Sequence, residues 1–347
     1  MTTLMEEIAQ QPAVLSGLRK FYTSPGAIPS KALRRAAKHW PPTVVFTGMG
    51  SSLYAAYPAQ AYLASQGIRA LIWETAELVD HHMKFLGPDT LLVVTSRSGE
   101  TAEILRLLGA LPEKGSLIAV CNTESSSLAR RANLLLPMMA GRPAAVGTKT
   151  YTCAVAVLMY LAATVARKSP RSLTQALMHA IEAQERIIDR RDDLIPPALE
   201  FFDEPHYVAL LARGPDLATA YQGALLFKEV AKMAAEPISA AQFRHGPMEI
   251  IDPDHRYLIF ARQPETRSRR KADTPLIRLA EDIRKFGGRV LMYTHLPVTH
   301  MTNIRHIPVE PVLMGLGTLV DSVHVQLLVH DLAVRGGFEP GRFRFSE

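Results

Sequence analysis

The segment Thr95–Thr101, which reads TSRSGET, constrains the fold more than any other part of this 347-residue sequence. It directly follows the apolar run Leu91–Val94 and directly precedes the amphipathic stretch Ala102–Leu108. A buried strand that passes through hydroxyl residues and a glycine into a helix gathers backbone N–H groups and side-chain hydroxyls around one point. The pattern therefore predicts a strand–loop–helix unit with a candidate anion site in its loop. It is equally typical of a turn whose hydroxyls only cap the helix.

A second loop of the same kind lies earlier in the chain. The segment Thr43–Ser52 also runs from a strand through a glycine turn into hydroxyl residues, and the helix-like stretch Leu53–Ala64 follows. Because the carboxyl ends of parallel strands meet at one edge of a sheet, the two loops could bind one phosphate together. The Thr95–Thr101 loop has no lysine and lacks the spacing of a nucleotide-binding P-loop, so the phosphate of a small metabolite fits it better than a nucleoside triphosphate.

A nicotinamide cofactor is the less favoured alternative. The turn contains Gly48 and Gly50, but Leu53 stands where the dinucleotide fingerprint needs its third glycine. We therefore expect no cofactor.

The composition predicts a two-domain protein without a metal site. A chain of 347 residues is long enough for two domains, each with its own core. Its two cysteines, Cys121 and Cys153, lie in apolar runs without metal-ligand spacing, so we expect reduced thiols in a cytoplasmic protein. The first residues lack the pattern of a secretory leader, and no apolar run reaches the length of about eighteen residues that a membrane span needs. We expect no membrane partner.

The formal net charge of +6 does not indicate nucleic-acid binding. Basic residues are scattered among acidic ones except in Arg267–Lys271 and, mixed with acids, in Arg186–Asp193. Neither run has interleaved aromatic residues, so a solvated loop and a salt-bridged helix are the favoured interpretations. A mild positive charge also suits an enzyme that handles anionic metabolites.

Strand-like and helix-like segments alternate along the whole chain, which predicts an α/β fold with a doubly wound parallel sheet covered by helices on both faces. The second half repeats the order of the first. The predicted strands are Thr43–Phe46, Ala70–Trp73, Thr90–Val94, Leu117–Cys121 and Leu134–Pro137 in the first half, and Tyr207–Ala212, Arg256–Ala261, Arg289–Tyr293 and His306–Val309 in the second.

The repeat is visible in residues as well as in order. Arg97–Thr101 aligns with Arg262–Thr266, and the turn at Gly50 aligns with Gly214. The second copy has glutamine and proline where the first loop has serine and glycine, so we expect one phosphate site per chain.

Helices are expected at both ends of the first domain. Pro12 marks a point at which the helix Met5–Phe21 could break, and Pro196-Pro197 should end a charged helix that starts at Pro170. The glycine-rich end of the chain should not be helical. The predicted limits are an N-terminal helical segment at 1–32, a first domain with the phosphate loops at 33–170, a linker helix at 171–202, a second domain at 203–337 and a tail at 338–347.

Two residues of the second half could transfer protons. Glu229 lies in the largely apolar helix-like stretch Gly223–Glu236, and His245 precedes a Gly-Pro pair. A carboxylate and an imidazole are groups that proton transfer at a sugar carbonyl uses. Taken by residue type alone, such a glutamate is usually solvated and such a histidine usually packs or caps.

Taken together, these motifs resemble the sugar isomerase (SIS) family, in particular the isomerase half of glucosamine-6-phosphate synthase and the stand-alone sugar-phosphate deaminases and fructosamine-phosphate deglycases. The resemblance implies two tandem SIS domains, each a three-layer αβα sandwich, and it spans nearly the whole chain. The segments that carry it are Glu7–Pro12, Gly50–Ser52, Ser96–Thr101, Gly147–Thr152, Gly223–Glu229 and Phe243–Pro247.

The resemblance also implies roles. Glu229 would move a proton between C1 and C2 of an opened sugar, and His245 would assist ring opening from the partner subunit, so a homodimer with composite sites is expected. Arg97 stands where the synthase has an amide. The residues expected to bind the sugar phosphate are Gly50, Ser51, Ser52, Ser96, Arg97, Ser98, Thr101, Val146, Gly147, Thr148 and Arg344.

The sequence departs from the synthase pattern in ways that bear on the reaction. Leu226 and Gln222 replace a lysine and an acid near Glu229, and the tail offers Arg342 and Arg344 in place of a lysine. There is no glutaminase domain or N-terminal cysteine, so release of ammonia from glutamine is not expected.

The resemblance and the residues together predict a dimeric enzyme that acts on an amino or glycated hexose 6-phosphate as an isomerase or deaminase. A deglycase remains open, as does a sugar-phosphate sensor without proton chemistry.

Overall fold

The structure is a computed structural model that describes residues 2–24, 31–33, 35, 40–112, 115–142, 145–203, 205–262, 275–298, 301–313 and 315–345. Contacts divide the chain into two compact units. The first-sheet unit comprises residues 10–143 and 147–179, and the second-sheet unit comprises residues 180–347 with 1–9 and 144–146. The domain limits that the sequence predicts at 33–170 and 203–337 stay predictions. Among the helices of the described residues, none combines the length and the apolar character that a membrane span requires.

The first-sheet unit is built on five parallel strands in the order β2-β1-β3-β4-β5. Its central strands β1 and β3 are buried along their whole length, as expected for a sheet covered on both faces. The strands are β1 Thr43–Gly48, β2 Arg69–Glu74, β3 Thr90–Ser96, β4 Ser116–Cys121 and β5 Leu134–Pro137.

Helices cover both faces of this sheet. On one face, Ile104 and Leu107 of helix α3 pack with Val45, Leu92 and Val94 of the strands. Helices α2 and α4 pack together against the other face. The helices of this half are α1 Thr3–Thr23, α2 Tyr57–Ser65, α3 Ala102–Ala110 and α4 Lys149–Val165, with short helical turns at Ser51–Tyr54, Thr75–Glu77, Leu78–His82, Met83–Phe85 and Ser127–Arg131.

The second-sheet unit has the same topology, with parallel strands in the order β10-β9-β8-β6-β7. Its strands are β6 Tyr207–Ala212, β7 Ala235–Ser239, β8 His255–Ala261, β9 Arg289–Thr294 and β10 Ile304–Pro308. The helices of this half are α5 Pro170–Asp189, α6 Arg191–Phe201, α7 Leu217–Glu229, α8 Pro275–Lys285 and α9 Gly317–Arg335, with short turns at Gly214–Asp216, Ala240–Phe243 and Pro247–Ile250.

The predicted fold class is confirmed, and so is the repeat. Gly50 and Gly214 each lie two residues after the first strand of their sheet, and both have a left-handed backbone, with φ of 50° and 58°. Arg97 and Arg262 each directly follow the third strand of their sheet. The two copies therefore correspond at these two positions, whereas residues 263–266, which the sequence aligns with 98–101, lie outside the described residues.

One strand was missed by the sequence pattern. Strand β7, Ala235–Ser239, contains Pro237 and an exposed Glu236, which is not how a buried strand reads. It lies at the edge of its sheet, where a proline is tolerated because one side of the strand has no ladder partner.

Prolines interrupt the helices less than the sequence predicts. Helix α1 runs through Pro12 without a break, and Leu15 and Leu18 beyond it are fully buried. The expectation that Pro196-Pro197 ends the linker helix is wrong: the break falls at Arg190, and both prolines lie inside helix α6. Packing of the buried face of α6 offsets the two missing N–H donors.

The order of strands reverses between β1 and β3 and again between β6 and β8. Loops on either side of such a reversal diverge, which opens a crevice at the carboxyl ends of the strands. In the first sheet this crevice is lined by the two hydroxyl loops. In the second sheet the corresponding loops carry Asp216 and Arg262.

A buried ion cluster occupies the second crevice. The Arg262 guanidinium lies 2.5 Å from Asp321 and 3.7 Å from Asp216, and its side chain is 9% exposed. It also donates to the carbonyl of Glu310 at 2.8 Å. A Cβ on Gly317 would lie 2.2 Å from Arg262 Nε, so glycine is required there. Burial opposes the charged form of Arg262, but the two carboxylates raise its pKa.

We predict that stability falls with acid because of His324, which is buried on α9. Burial, with the charge of Arg262, lowers the pKa of His324 from 6.5 to about 3. Below pH 6.5, His324 is therefore protonated in the unfolded chain but stays neutral in the folded chain. The free energy of unfolding should lose about 2 kcal/mol between pH 7 and pH 5 from this group.

Urea titrations of wild type and His324→Gln at pH 5, 6 and 7 measure this loss. The variant should show a shallower decline, whereas His179→Gln, at an exposed position, should keep the wild-type slope. Equal slopes in wild type and His324→Gln would refute the assignment.

Candidate phosphate and proton-transfer site

The two hydroxyl loops of the first sheet are neighbours. A Cβ on Gly48, the last residue of β1, would lie 2.8 Å from the carbonyl oxygen of Thr95. Glycine therefore allows the ends of β1 and β3 to approach at the backbone. Gly50 then turns the chain with a left-handed φ, and the half-buried Ser51 and Ser52 start a short helical turn. The structure thus brings both serine loops to one edge of the sheet.

The loop after β3 is held by its own serines and by one glycine. Ser96 is buried, and its Oγ accepts a hydrogen bond from the N–H of Gly99 at 3.0 Å. Ser98 Oγ accepts from the N–H of Glu100 at 3.3 Å. Gly99 has a φ of 70°, and a Cβ there would lie 2.3 Å from Ser126 Oγ. Any larger residue would displace the loop.

The start of helix α3 distinguishes the two interpretations of this loop. Thr101 is the N-cap residue, and within the described part of the chain its side chain makes no capping hydrogen bond. Ser126, the N-cap of the next short helix, does cap, accepting from the N–H of Ala129 at 3.2 Å. The first-turn N–H groups of α3 thus lack the side-chain cap that the purely structural interpretation requires, and the helix dipole favours an anion there.

Glu100 has a role that the sequence analysis missed. Its carboxylate accepts a hydrogen bond of 2.6 Å from the N–H of Ser127, at the start of the helix Ser127–Arg131. This hydrogen bond lowers the pKa of Glu100. The pair joins the loop after β3 to the loop after β4. No local pattern shows it, because the partners are 27 residues apart.

The segment before helix α4 carries three more predicted residues. Thr148 is fully buried directly before the helix, and Gly147 is half-buried. The boundary between the compact units falls between Val146 and Gly147. Val146 is buried in the second-sheet unit, where its Cγ2 lies 3.8 Å from the position of a Cβ on Gly341 in the tail.

Glu229 is the last residue of helix α7 and is half-buried. The substituted neighbours Leu226 and Gln222 are both fully buried. Beyond the helix, Lys232 donates hydrogen bonds to the carbonyl of Glu229 and to the carbonyl of Arg342, the latter at 2.8 Å. Lys232 was not predicted from the sequence as a site residue.

His245 lies in an exposed turn of the second-sheet unit, between two short helical turns. The residues before it hold this turn in place: Phe243 is buried against Tyr257, and Arg244 pairs with Asp282 at 2.7 Å. The structure therefore places Glu229 and His245 on separate elements of one unit and presents His245 at its surface.

Arg344 is exposed, with its guanidinium 5.4 Å from the centre of the Phe338 ring. Its positive charge helps to lower the pKa of Lys232. The structure thus brings Arg344 to the second-sheet unit, which also holds Glu229. Among the described residues, no three His, Cys, Asp or Glu side chains are grouped as a metal site.

Comparisons with known proteins agree with this architecture. The family described as SIS domain matches residues 39–166 and 201–335. A glutamine–fructose-6-phosphate aminotransferase (isomerizing) of Shewanella oneidensis is 27% identical over an alignment of 357 positions, which covers 96% of this chain and 56% of that protein. The chain spans about half the length of the curated relatives it matches.

Two solved structures share the fold. The C-terminal domain of glucosamine-fructose-6-phosphate aminotransferase from Francisella tularensis has a TM-score of 0.86 at 19% identity, covering 98% of this chain and 97% of that one. A glucosamine-6-phosphate deaminase from Thermotoga maritima has a TM-score of 0.75 at 22% identity, covering 99% and 98%. With the sequence match over both halves, these findings show that the chain belongs to the SIS domain family.

Proposed function

We propose that this chain is a phosphosugar isomerase or aminosugar-phosphate deaminase that acts on a hexose 6-phosphate carrying an amino or glycated substituent. The observation that carries the proposal is the loop Ser96–Thr101, with its glycine-dependent turn and a start of helix α3 that has no side-chain cap among the described residues. The same chain supplies a carboxylate at Glu229 and an imidazole at His245. The names of its relatives, an isomerizing aminotransferase and a glucosamine-6-phosphate deaminase, support this class.

The phosphate group would be bound in the first sheet's crevice. A phosphate dianion accepts charge-assisted hydrogen bonds from hydroxyls and from free N–H groups, and it is stabilised at a helix N-terminus. Ser51, Ser52, Ser98 and Thr101 supply hydroxyls there, and Arg97 adds a positive charge at an exposed position. Gly50 and the segment Val146–Thr148 belong to the proposed binding set as well.

The proton transfer would use Glu229. In the open-chain sugar, its carboxylate takes the proton from C2 while the C1 carbonyl oxygen gains a proton, which gives an enol. The same carboxylic acid then returns its proton to C1 while the C2 hydroxyl or amino group loses one, so the number of protons is unchanged. With a hydroxyl at C2 the product is a ketose. With an amino group at C2 the product is an imine, and water releases ammonia from it. His245 would exchange a proton with the ring oxygen during ring opening.

The alternatives differ in what they require of these groups. A sugar-phosphate sensor needs the phosphate loops but neither Glu229 nor His245, and a deglycase would release an amino acid instead of ammonia. We favour the enzyme because both proton-transfer groups are present. The exposed position of His245 is compatible with service to a partner subunit in a homodimer, which we propose together with a cytoplasmic location.

A substrate panel tests the proposed function directly. Hexose 6-phosphates with and without 2-amino or N-linked amino-acid groups are incubated with the protein, and ketose, ammonia and amino acid are measured. Ammonia with ketose identifies a deaminase, ketose alone an isomerase and amino acid a deglycase. Binding without turnover of any member would establish the sensor instead.

Loss of one loop hydroxyl should weaken phosphate binding. For Ser98→Ala we expect the affinity for glucosamine 6-phosphate to fall by roughly 1.5 to 3 kcal/mol, or about tenfold to a hundredfold, because one charge-assisted hydrogen bond is lost. Calorimetric titration measures the affinity of each variant for glucosamine 6-phosphate, with Ser172→Ala on an exposed face of α5 as the control. Ser96→Ala should act in the same direction. Unchanged affinity in both loop variants would remove the anion site.

Loss of the carboxylate should stop proton exchange and leave binding intact. Glu229→Gln keeps the shape but not the basicity, so turnover should fall by roughly a hundredfold or more. Exchange of the C2 hydrogen of a bound sugar phosphate in heavy water, followed by NMR, isolates this step. Glu236→Gln is the control, since its carboxylate accepts from the Tyr207 hydroxyl at 2.6 Å on the edge strand. Normal exchange in Glu229→Gln with loss in Glu236→Gln would reassign the role.

Two differently impaired chains should rescue each other if His245 serves the partner subunit. Mixed dimers of Glu229→Gln and His245→Ala chains would contain one site with both groups intact. Random mixing makes about half of the dimers hybrid, so activity should recover to about a quarter of wild type. In the converse control, the double variant mixed with wild type should retain about a quarter if His245 acts across the dimer and about half if it acts within its own chain.

A further inference from the structure

Lys232 has a backbone conformation that lysine rarely adopts. Its φ is 58°, in the left-handed region where glycine is preferred and a side chain is disfavoured. It lies three residues after Glu229, in the turn that leaves helix α7. Residues held in such a conformation concentrate at functional positions, where the surrounding structure compensates for the strain. A lysine at this position, where glycine would be less strained, therefore indicates that its side chain has a role.

The side chain joins two distant segments. Its ammonium donates to the carbonyl of Glu229, the last residue of α7, and to the carbonyl of Arg342 in the tail at 2.8 Å. The ammonium also lies 5.9 Å from the centre of the Phe343 ring. Arg342 is 110 residues away in sequence, so one charged group links the helix end to the tail.

The contact with Glu229 follows from the way α7 ends. The last four carbonyls of a helix have no partner within it, and a cation there is stabilised by the helix dipole. After Glu229, the N–H of Val230 bonds to Leu226 and the N–H of Met233 bonds to Phe227. The Lys232 ammonium adds a bond to the Glu229 carbonyl, as basic side chains near helix C-termini do.

The tail has a second anchor nearer its start. Gly341 lies beside Leu4 and Val146, with Cβ-to-neighbour distances of 3.6 and 3.8 Å for an added methyl. Beyond it, the Arg342 side chain pairs, within the described part of the chain, only with Glu339 of the tail itself, at 3.3 Å, and Phe345 is 96% exposed. The Lys232 ammonium thus joins Arg342 to the end of helix α7 and lies beside the Phe343 ring.

We propose that Lys232 is a positioning residue that clamps the tail at Arg342 to the C-terminal end of helix α7, and so fixes Arg344 at the helix end that carries Glu229. This role rests on the proposed function, because it assigns Arg344 to the binding of a sugar phosphate. Electrostatics agree with it: burial and the charge of Arg344 lower the pKa of Lys232, and the Glu229 carboxylate opposes that shift. Arg344 and Glu229 therefore each lie close enough to Lys232 to influence its charge.

A glycine variant at position 232 separates the effect of losing the ammonium from the effect of the left-handed backbone conformation. Lys232→Gly removes the clamp but suits the left-handed conformation, so the fold should keep its melting temperature. Lys232→Met removes the charge and keeps most of the length, and Lys232→Arg keeps the charge. Lys228→Met, at an exposed position near the end of helix α7, is the matched control.

The first readout needs no activity. Trypsin cleaves after Arg342 and Arg344, and mass spectrometry follows loss of the tail from the native protein. Lys232→Gly and Lys232→Met should lose it at least about tenfold faster than wild type, since a hydrogen bond to a charged group is broken. Lys232→Arg and Lys228→Met should remain close to wild type. Equal cleavage rates in wild type and Lys232→Gly would overturn the clamp.

The second readout tests the consequence for substrate. If Lys232 acts through Arg344, Lys232→Gly should raise KM for the sugar phosphate by about the factor seen in Arg344→Gln, and the double variant should show little more. If Lys232→Gly loses its tail faster to trypsin but keeps the wild-type KM, the positioning role would be overturned. Inactivity of the wild type on every sugar phosphate would overturn the proposed function and the substrate role of Arg344, whereas the cleavage result would still decide the clamp.

Discussion

The reversal of strand order between the first and third strands is the constraint on which the rest of the structure depends. All described strand pairs within the two sheets are parallel, so the strands of each sheet end at one edge, and the reversal separates the loops that follow. A crevice lined by backbone N–H groups and loop side chains results wherever this order occurs. The chain has this strand order twice, and different residues line the two crevices.

In the first sheet, small residues set the course of the loops that line the crevice. Gly48 lets two strand ends approach at the backbone, and Gly99 lets the loop pass against Ser126 and Cys121. Burial raises the pKa of the Cys121 thiol, so it packs there as a neutral group. Serine hydroxyls bond to loop N–H groups, and within the part of the chain that the structure describes the start of α3 has no side-chain cap.

In the second sheet, the protein supplies both charges itself. Arg262 stands at the position of Arg97, and Asp216 and Asp321 provide the negative charge that a phosphate would bring to the first crevice. Removing either partner from such a buried pair leaves an uncompensated charge, which costs far more than the pair contributes. This arrangement explains how a duplicated loop can lose its hydroxyls and still support its domain. It also agrees with the expectation of a single phosphate site, which stays a prediction.

The sequence predicts the parts of this structure that depend on local patterns. Buried strands read as apolar runs, so nearly all of them were found, and the glycine-hydroxyl loops were located because strand, turn and helix signals follow one another there. Strand β7 escaped because Pro237 and Glu236 suit only an edge. The Glu100–Ser127 bond and the Lys232–Arg342 bond escaped for another reason: each joins residues far apart in sequence, and no local spacing encodes them.

Lys232 shows how a departure from a family pattern can be interpreted from contacts alone. The sequence lacks a lysine both three residues before Glu229 and in the tail, which by residue type suggests a site with less positive charge. The structure places a lysine three residues after Glu229 instead, and its ammonium contacts the backbone of the helix end and of the tail. Because this ammonium donates to two backbone carbonyls, it orders the chain around a site. The charge that reaches a substrate would then come from Arg344, whose guanidinium, unlike an amine, stays protonated and cannot form a Schiff base. Under the proposed function, the tail would therefore contribute a charge to substrate binding and not the Schiff-base chemistry of a lysine.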